Sequence, residues 1–158
     1  DKKRYSFPLQ VFFLNKRFKM MKEAAELTNC IMDRSIYGDV IFSRMLMEDG
    51  DMTIEEFNVY EELLFNMLEH IKKPKLMIYL ESSVNHAISQ IEKRGRDYEL
   101  IVPHSYWESL NAHYRNYFDN YNLSDILKIN VDGLDFFNNE NDRNYILNLI
   151  DDKINSLT

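Results

Sequence analysis

Leu76-Met77-Ile78-Tyr79-Leu80, set between Pro74 and Ser82-Ser83, is the stretch on which the fold turns. An unbroken apolar run of this length predicts a strand buried on both faces, as a parallel sheet requires. Ser82 or Ser83 then offers a helix N-cap, and a helix to about Lys93 follows. Strand followed by helix is the first half of a parallel crossover. Downstream, Pro103 stands where a helix favours its first residue, and Tyr106, Trp107, Leu110, Tyr114 and Phe118 recur at helical spacing. Ile126 to Val131 alternates, with Lys128 and Asn130 outward, as an edge strand would. Asp132-Gly133 turns the chain, and a last helix sets Ile146, Leu149, Ile150 and Ile154 on one face.

Upstream of Pro74, Thr53 and Glu56 form a capping box for a helix whose stripe is Ile54, Phe57, Tyr60, Leu64, Met67, Leu68 and Ile71. Gly50-Asp51 breaks the chain before it, and another helix is expected over Ile36 to Met47. Cys30-Ile31-Met32 is too short for a helix and predicts a short buried parallel strand with an inert thiol. A helix from about Pro8 to Leu27 would present Leu9, Phe12, Phe13, Met20, Met21, Ala24 and Leu27 as its apolar face. Strands separated by long helical segments mean α/β with a parallel sheet.

Composition narrows the classes. A length of 158 residues suits a single domain with a real core, so residues 1–158 are expected to form one domain. The net charge of −7 argues against a nucleic-acid binder, which usually shows a basic face. The early basic residues Lys2, Lys3, Arg4, Lys16, Arg17, Lys19 and Lys22 read as a solvated helix face. Cys30 is the sole cysteine, which excludes an intrachain disulfide and suggests a reducing cytoplasm. No apolar run reaches the ~18 residues of a membrane span, and no membrane partner is expected.

Two strings carry the chemistry. Asp33-Arg34-Ser35-Ile36-Tyr37-Gly38-Asp39 falls at the carboxyl end of the expected strand, where open parallel sheets place ligands. Lys93-Arg94-Gly95-Arg96-Asp97-Tyr98-Glu99 closes a helix, with Pro103 close behind. Guanidinium groups grip phosphate oxygens bidentately, and carboxylates hold sugar hydroxyls or Mg²⁺. Taken singly, the first string reads equally as an ion pair capping a helix and the second as a solvated basic loop. Their coexistence, with Gln10 and Arg17 on an upstream helix, points to phosphoryl transfer onto a nucleoside.

On these residues the chain resembles the deoxyribonucleoside kinase family, of the bacterial deoxyadenosine/deoxyguanosine type. Phe7-Pro8-Leu9-Gln10 and Phe13-Leu14-Asn15-Lys16-Arg17-Phe18 are similar to its substrate helix, Asp33-Arg34-Ser35 to its (Asp/Glu)-Arg-Ser motif, and Arg94-Gly95-Arg96-Asp97-Tyr98-Glu99 to its arginine lid. The resemblance implies a three-layer, P-loop kinase-type α/β fold, a lid over residues 93–103, and ATP-dependent 5′-phosphorylation of a purine deoxynucleoside for nucleotide salvage. It implies that Gln10 pairs with the base and that Arg17 with Asp39 marks purine- and deoxycytidine-accepting members. Phe13 and Phe42 would lie against the nucleoside. Arg34 would hold the 5′-oxygen and incoming phosphate, with Asp33 near Mg²⁺. Arg94 and Arg96 would close on ATP, Asp132 would lie at the ATP side, and Glu99 would accept from the 3′-hydroxyl. A homodimer or a heterodimer with a related subunit is the expected assembly.

The sequence holds no Gly-x-x-x-x-Gly-Lys-(Ser/Thr) motif, and begins at Asp1. The family's first two strands, its phosphate loop and its general-base glutamate are therefore expected in a longer parent protein, which would add on the order of 50 residues. The chain alone would then be inactive. Two other readings stand beside this one: a nucleoside monophosphate kinase, and a non-catalytic partner subunit or inactive fragment.

Overall fold

The computed structural model describes residues 1–157. These fall into two compact units that meet in sequence at Lys73 and Pro74.

The first unit is helical. Helix α1 spans Lys2–Ala25, α2 Asp39–Glu48 and α3 Ile54–Leu68, and a 3₁₀ turn, Ile36–Gly38, leads into α2. Asp1 caps α1 by accepting the Arg4 N–H at 3.2 Å, so the helix starts six residues before Pro8 and carries the proline within it. Its buried stripe is Ser6, Leu14 and Met21. That corrects the expected face, because Leu9, Phe12, Phe13, Met20 and Leu27 all stay exposed. The aromatic-rich run has apolar residues nearly all round, so periodicity alone did not single out the side that meets α2 and α3. The capping box of α3 forms as expected: the Glu56 N–H donates to Thr53 Oγ1 and the Thr53 N–H to Glu56 Oε2. Phe57, Tyr60 and Leu64 are the buried residues of α3, which packs on α2; Ile36 and Tyr37 of the turn and Asp39, Ile41, Ser43 and Met45 of α2 are buried too.

The strand expected at Cys30-Ile31-Met32 does not form, and the segment is irregular. Ile31 is 96% exposed and Cys30 is exposed too, so the thiol is not the buried, inert group its neighbours suggested. A strand needs a neighbour to take its N–H and C=O groups, and among the described residues none pairs with this segment.

The second unit holds a two-stranded parallel sheet in place of the three strands expected overall. Strand β1 spans Leu76–Glu81 and β2 Asp125–Asn130, in register Leu76 with Asp125 through Glu81 with Asn130. Between them lie α4 (Val84–Arg94), α5 (Asp97–Leu100) and α6 (His104–Asp119); α7 (Glu140–Ser156) follows β2. Ser83 caps α4, its Oγ accepting the His86 N–H. Pro103 is the N-cap of α6, one position before that expected.

Helices lie on both sides of the ribbon. On one face Tyr79 stacks on Phe118 of α6 at 4.3 Å between ring centroids. On the other, Ile129 and Val131 pack with Ile146 of α7, and Leu127, Leu149 and Ile150 complete the cluster. The expectation that β1 is buried on both faces holds for one only. Ile78 and Leu80 remain exposed, because α7 covers the β2 side of that face.

Candidate active site

The first unit brings Gln10, Leu14, Arg17 and Met21 onto one side of α1, at spacings of three and four residues. Leu14 and Met21 anchor that side in the core, which fixes Arg17 between them and Gln10 one turn before Leu14. Arg17 meets Asp39, the first residue of α2, with Nε 2.6 Å from Oδ1. The Nε–H is not aimed along that line, so the contact is an ion pair without an aligned hydrogen bond. Asp39 Oδ2 is buried and accepts no hydrogen bond. Burial pushes the Asp39 carboxyl up to about 6, against the pull of Arg17 and, further off, Arg34. The pair thus presents a desolvated acceptor with one oxygen uncommitted, held beside a fixed cation.

Arg34 takes a left-handed backbone, φ 61°, without being glycine. That conformation costs an L-residue roughly 1–2 kcal/mol. The twist sends its guanidinium over the Phe42 ring, 5.6 Å from the centroid. Asp33 is exposed beside it and lines an open cleft of about 400 Å³ with Met20, Ala24, Leu27 and Ile31. Phe13 is exposed on α1, and Gln10 is half-buried.

The second unit places the lid residues in one cluster. Gly95 ends α4 at φ 68°, ψ 36°, a left-handed cap that suits glycine. The chain then enters the single turn of α5, so the lid is more helical than the expected loop. Arg94 donates to Glu99 Oε2 through Nε at 3.1 Å and Nη2 at 2.7 Å. Arg96 lies 3.6 Å from Glu99 Oε1 and donates to the Tyr98 hydroxyl at 3.3 Å. Both arginines are about half exposed, while Glu99 is 15% exposed. The carboxylate expected to read a sugar therefore also neutralises the lid.

Asp132 stands just beyond β2. Its carboxylate accepts the Ser83 N–H at 2.9 Å and the Ser82 hydroxyl at 3.2 Å. The Ser83 N–H holds its carboxyl below the usual carboxylate range, with the two serine hydroxyls adding to that. Asp132 thus ties the turn after β1 to the end of β2, and its carboxylate is engaged with protein donors. Asn111 reinforces the same turn by donating to the Ser82 carbonyl at 2.9 Å.

Sequence reasoning missed two features. One is the left-handed Arg34, which no composition rule announces. The other is a pair of wholly buried hydroxyls behind Asp39, Ser43 and Tyr60, which read as ordinary members of amphipathic helices.

Residues 1–155 match the family described as deoxynucleoside kinase. The chain belongs to the deoxynucleoside kinase family. A deoxyguanosine kinase of Lactobacillus johnsonii is 37% identical over 98% of this chain and 73% of its own length. A deoxyadenosine kinase of Lactobacillus acidophilus is 36% identical over 99% of this chain and 77% of its own. Among solved structures, a deoxyadenosine kinase from M. mycoides with the products dCMP and dCDP bound superposes with a TM-score of 0.81. It is 31% identical, and the match covers 98% of this chain and 76% of that one. The same enzyme with dATP bound gives a TM-score of 0.80. The P-loop kinase-type α/β fold, the deoxynucleoside kinase activity and the binding of nucleotides follow for this family member. Among the described residues no helix is long and apolar enough to cross a membrane.

Proposed function

We propose that this kinase transfers the γ-phosphoryl group of ATP to the 5′-hydroxyl of a purine deoxynucleoside. The observation that carries the choice of an amino-bearing base over thymine is the buried Arg17–Asp39 pair with its uncommitted Oδ2; the choice of a purine is supported by the likeness to deoxyguanosine and deoxyadenosine kinases. A buried acceptor left unpaired costs ~1–3 kcal/mol. A base that donates from an exocyclic amino group and accepts at a ring nitrogen would meet Asp39 and Arg17 in turn. Gln10, about two turns from Arg17 on α1, offers an amide that both donates and accepts. Phe13 and Phe42 would pack against the nucleoside.

Arg34 would hold the 5′-oxygen and the incoming phosphoryl group. Its strained backbone supports that role, since strain of this kind clusters where a side chain must be aimed. Arg94 and Arg96, half exposed and carrying full guanidinium forks, suit anionic phosphates. They would stabilise charge on the transferred group, and Glu99 would accept from the 3′-hydroxyl. Asp132 would act at the ATP side by holding the start of α4, whose far end carries Arg94. Mg²⁺ binds nucleotides through one or two carboxylates, phosphate oxygens and water. The exposed carboxylate of Asp33 fits that donor set. When bound, the ion would neutralise phosphate charge.

The proposed setting is a reducing cytoplasm. The proposed assembly is a homodimer or a heterodimer with a related subunit, which the exposed Ile54, Val59 and Phe65 of α3 support. Residues 93–103 would be the lid of a single kinase domain. The test is kcat/KM for deoxyadenosine, deoxyguanosine, deoxycytidine and thymidine in the full-length natural protein. Replacing Arg17 with Met and Asp39 with Ala together should lower the purine values and raise that for thymidine. Unchanged ratios would refute the assignment.

A further inference from the structure

Asp39 and Ser43 lie one turn apart on α2, so their side chains share a face. Tyr60 reaches that face from α3. Both hydroxyl-bearing residues are wholly buried, at 0% exposure. Neither hydroxyl makes an aligned hydrogen bond. A mid-helix serine usually donates to the carbonyl four residues back, and Ser43 does not. The Tyr60 phenol instead sits beside the Ser43 hydroxyl and within the electrostatic reach of Asp39 and Arg17. Two buried hydroxyls, a buried Nε–H and a buried carboxylate oxygen thus collect at one place, each short of a good partner. Alanine and phenylalanine would fill the same positions without the desolvation cost of an unpaired hydroxyl.

We propose that Ser43 and Tyr60 are positioning residues for base selection, their buried hydroxyls orienting the Asp39 carboxylate and keeping it an ionised acceptor for the base. The inference rests on the reading that Asp39 meets the base. A change of side-chain rotamer, with Ser43 one turn from Asp39 and Tyr60 beside Ser43, would let one hydroxyl donate to the other and onward to the uncommitted oxygen. A phenol pushed up to about 12 by burial stays a donor throughout the working pH range. The groups facing Asp39 are Arg17 from α1, Arg34 from the preceding segment and Tyr60 from α3. Tyr37, in the 3₁₀ turn, is the buried titratable side chain closest in sequence. No carboxylate raises Asp39 by repulsion; burial raises it and the Arg17 and Arg34 guanidinium groups pull it back, so any further donor to the carboxylate shifts that balance toward the ionised form.

The experiment is a pH profile, pH 5 to 9, of kcat/KM for deoxyadenosine and thymidine, with KM for ATP at each pH, in the full-length natural protein. Tyr60→Phe, Ser43→Ala, Asp39→Asn and Asp39→Asn with Tyr60→Phe are compared with the parent. The parent should lose deoxyadenosine efficiency on its acid limb as Asp39 protonates. A lost hydroxyl donor to a carboxylate should move that limb up by about one pH unit and cut the deoxyadenosine-to-thymidine ratio about tenfold. KM for ATP should not move. Ser43→Ala should act in the same direction, which keeps the test open if Tyr60→Phe folds poorly. In the Asp39→Asn background Tyr60→Phe should add nothing. An unmoved acid limb in both hydroxyl variants would overturn the proposal, as would an equal change in KM for ATP. If Asp39→Asn itself leaves limb and ratio intact, the reading of Asp39 fails first and this inference falls with it.

Discussion

Replacing Arg17 with Met should destabilise this kinase by an amount that depends on pH. Arg17 and Asp39 lie 2.6 Å apart, with side chains 20% and 10% exposed. Even beside Arg17 the Asp39 carboxyl sits at about 6. Against an ordinary value of about 3.9, that is a lift of about two units, or at most about 3 kcal/mol against the ionised form. Residual solvent access lowers this to about 2 kcal/mol. The folded protein binds the proton more tightly than the unfolded chain. Stability therefore falls as pH rises from about 4 to about 6, and is flat above. Without Arg17 the carboxyl rises further, so stability keeps falling above about pH 6. At about pH 5 Asp39 is largely protonated in both proteins, and the difference between them should be under about 1 kcal/mol. At about pH 8 it should reach about 2–3 kcal/mol. It stays under the usual 3–5 kcal/mol for a broken buried pair because protonation relieves the stranded charge. Urea unfolding of the full-length protein at pH 5, 6, 7 and 8 measures this directly. Adding Asp39→Asn to Arg17→Met should flatten the profile. An offset equal at every pH would refute the reasoning, since it would mean that only packing was lost.

Three further outcomes are expected. Glu99→Gln should raise KM for the deoxynucleoside and leave KM for ATP unchanged or lower, because the carboxylate that competes for Arg94 is gone; a raised KM for ATP would contradict this. Arg96→Ala should lower kcat as well as raise KM for ATP, by as much as ~10³-fold if it meets transferred charge. Arg34→Gly should keep or slightly raise stability, since glycine accepts φ 61° without strain, yet kcat should fall at least ~10²-fold. Urea midpoints and steady-state rates separate the two effects, and a marked loss of stability would show that Arg34 is structural.

Legibility from sequence followed the physical strength of each signal. The capping box of α3 was readable because two side chains at fixed spacing satisfy two helix-start N–H groups. Strands β1 and β2 were readable from an apolar run and an alternation. Cys30-Ile31-Met32 has the same local look and forms no strand, since pairing is a property of neighbours rather than of the segment. The face of α1 was misassigned because Phe12, Phe13 and Met20 are as apolar as the buried Leu14 and Met21. The ion pair of Arg17 with Asp39 was legible only through family resemblance, 22 residues apart as it is. The claim of Arg94 on Glu99 is not legible in the sequence, because residues five apart meet only once the left-handed Gly95 turns the chain back. Ser43 and Tyr60 were invisible, because a hydroxyl on an apolar stripe looks like packing until its burial and missing partner are seen.

The Asp132 tie to Ser83 has a consequence for how the second unit folds. The two residues are 49 apart in sequence, and the bond can form only once the whole crossover has come round. Closing a loop of that length costs on the order of 3 kcal/mol in chain entropy before any contact rewards it. Helix formation in α4 and α6 is local and fast; docking β2 beside β1 is the slow, non-local event. The Ser83 amide is held from across that closure by a carboxylate, with no partner inside its own helix. Its hydrogen exchange should therefore be slow only when the crossover is shut, which makes one amide a clock for the assembly of the sheet.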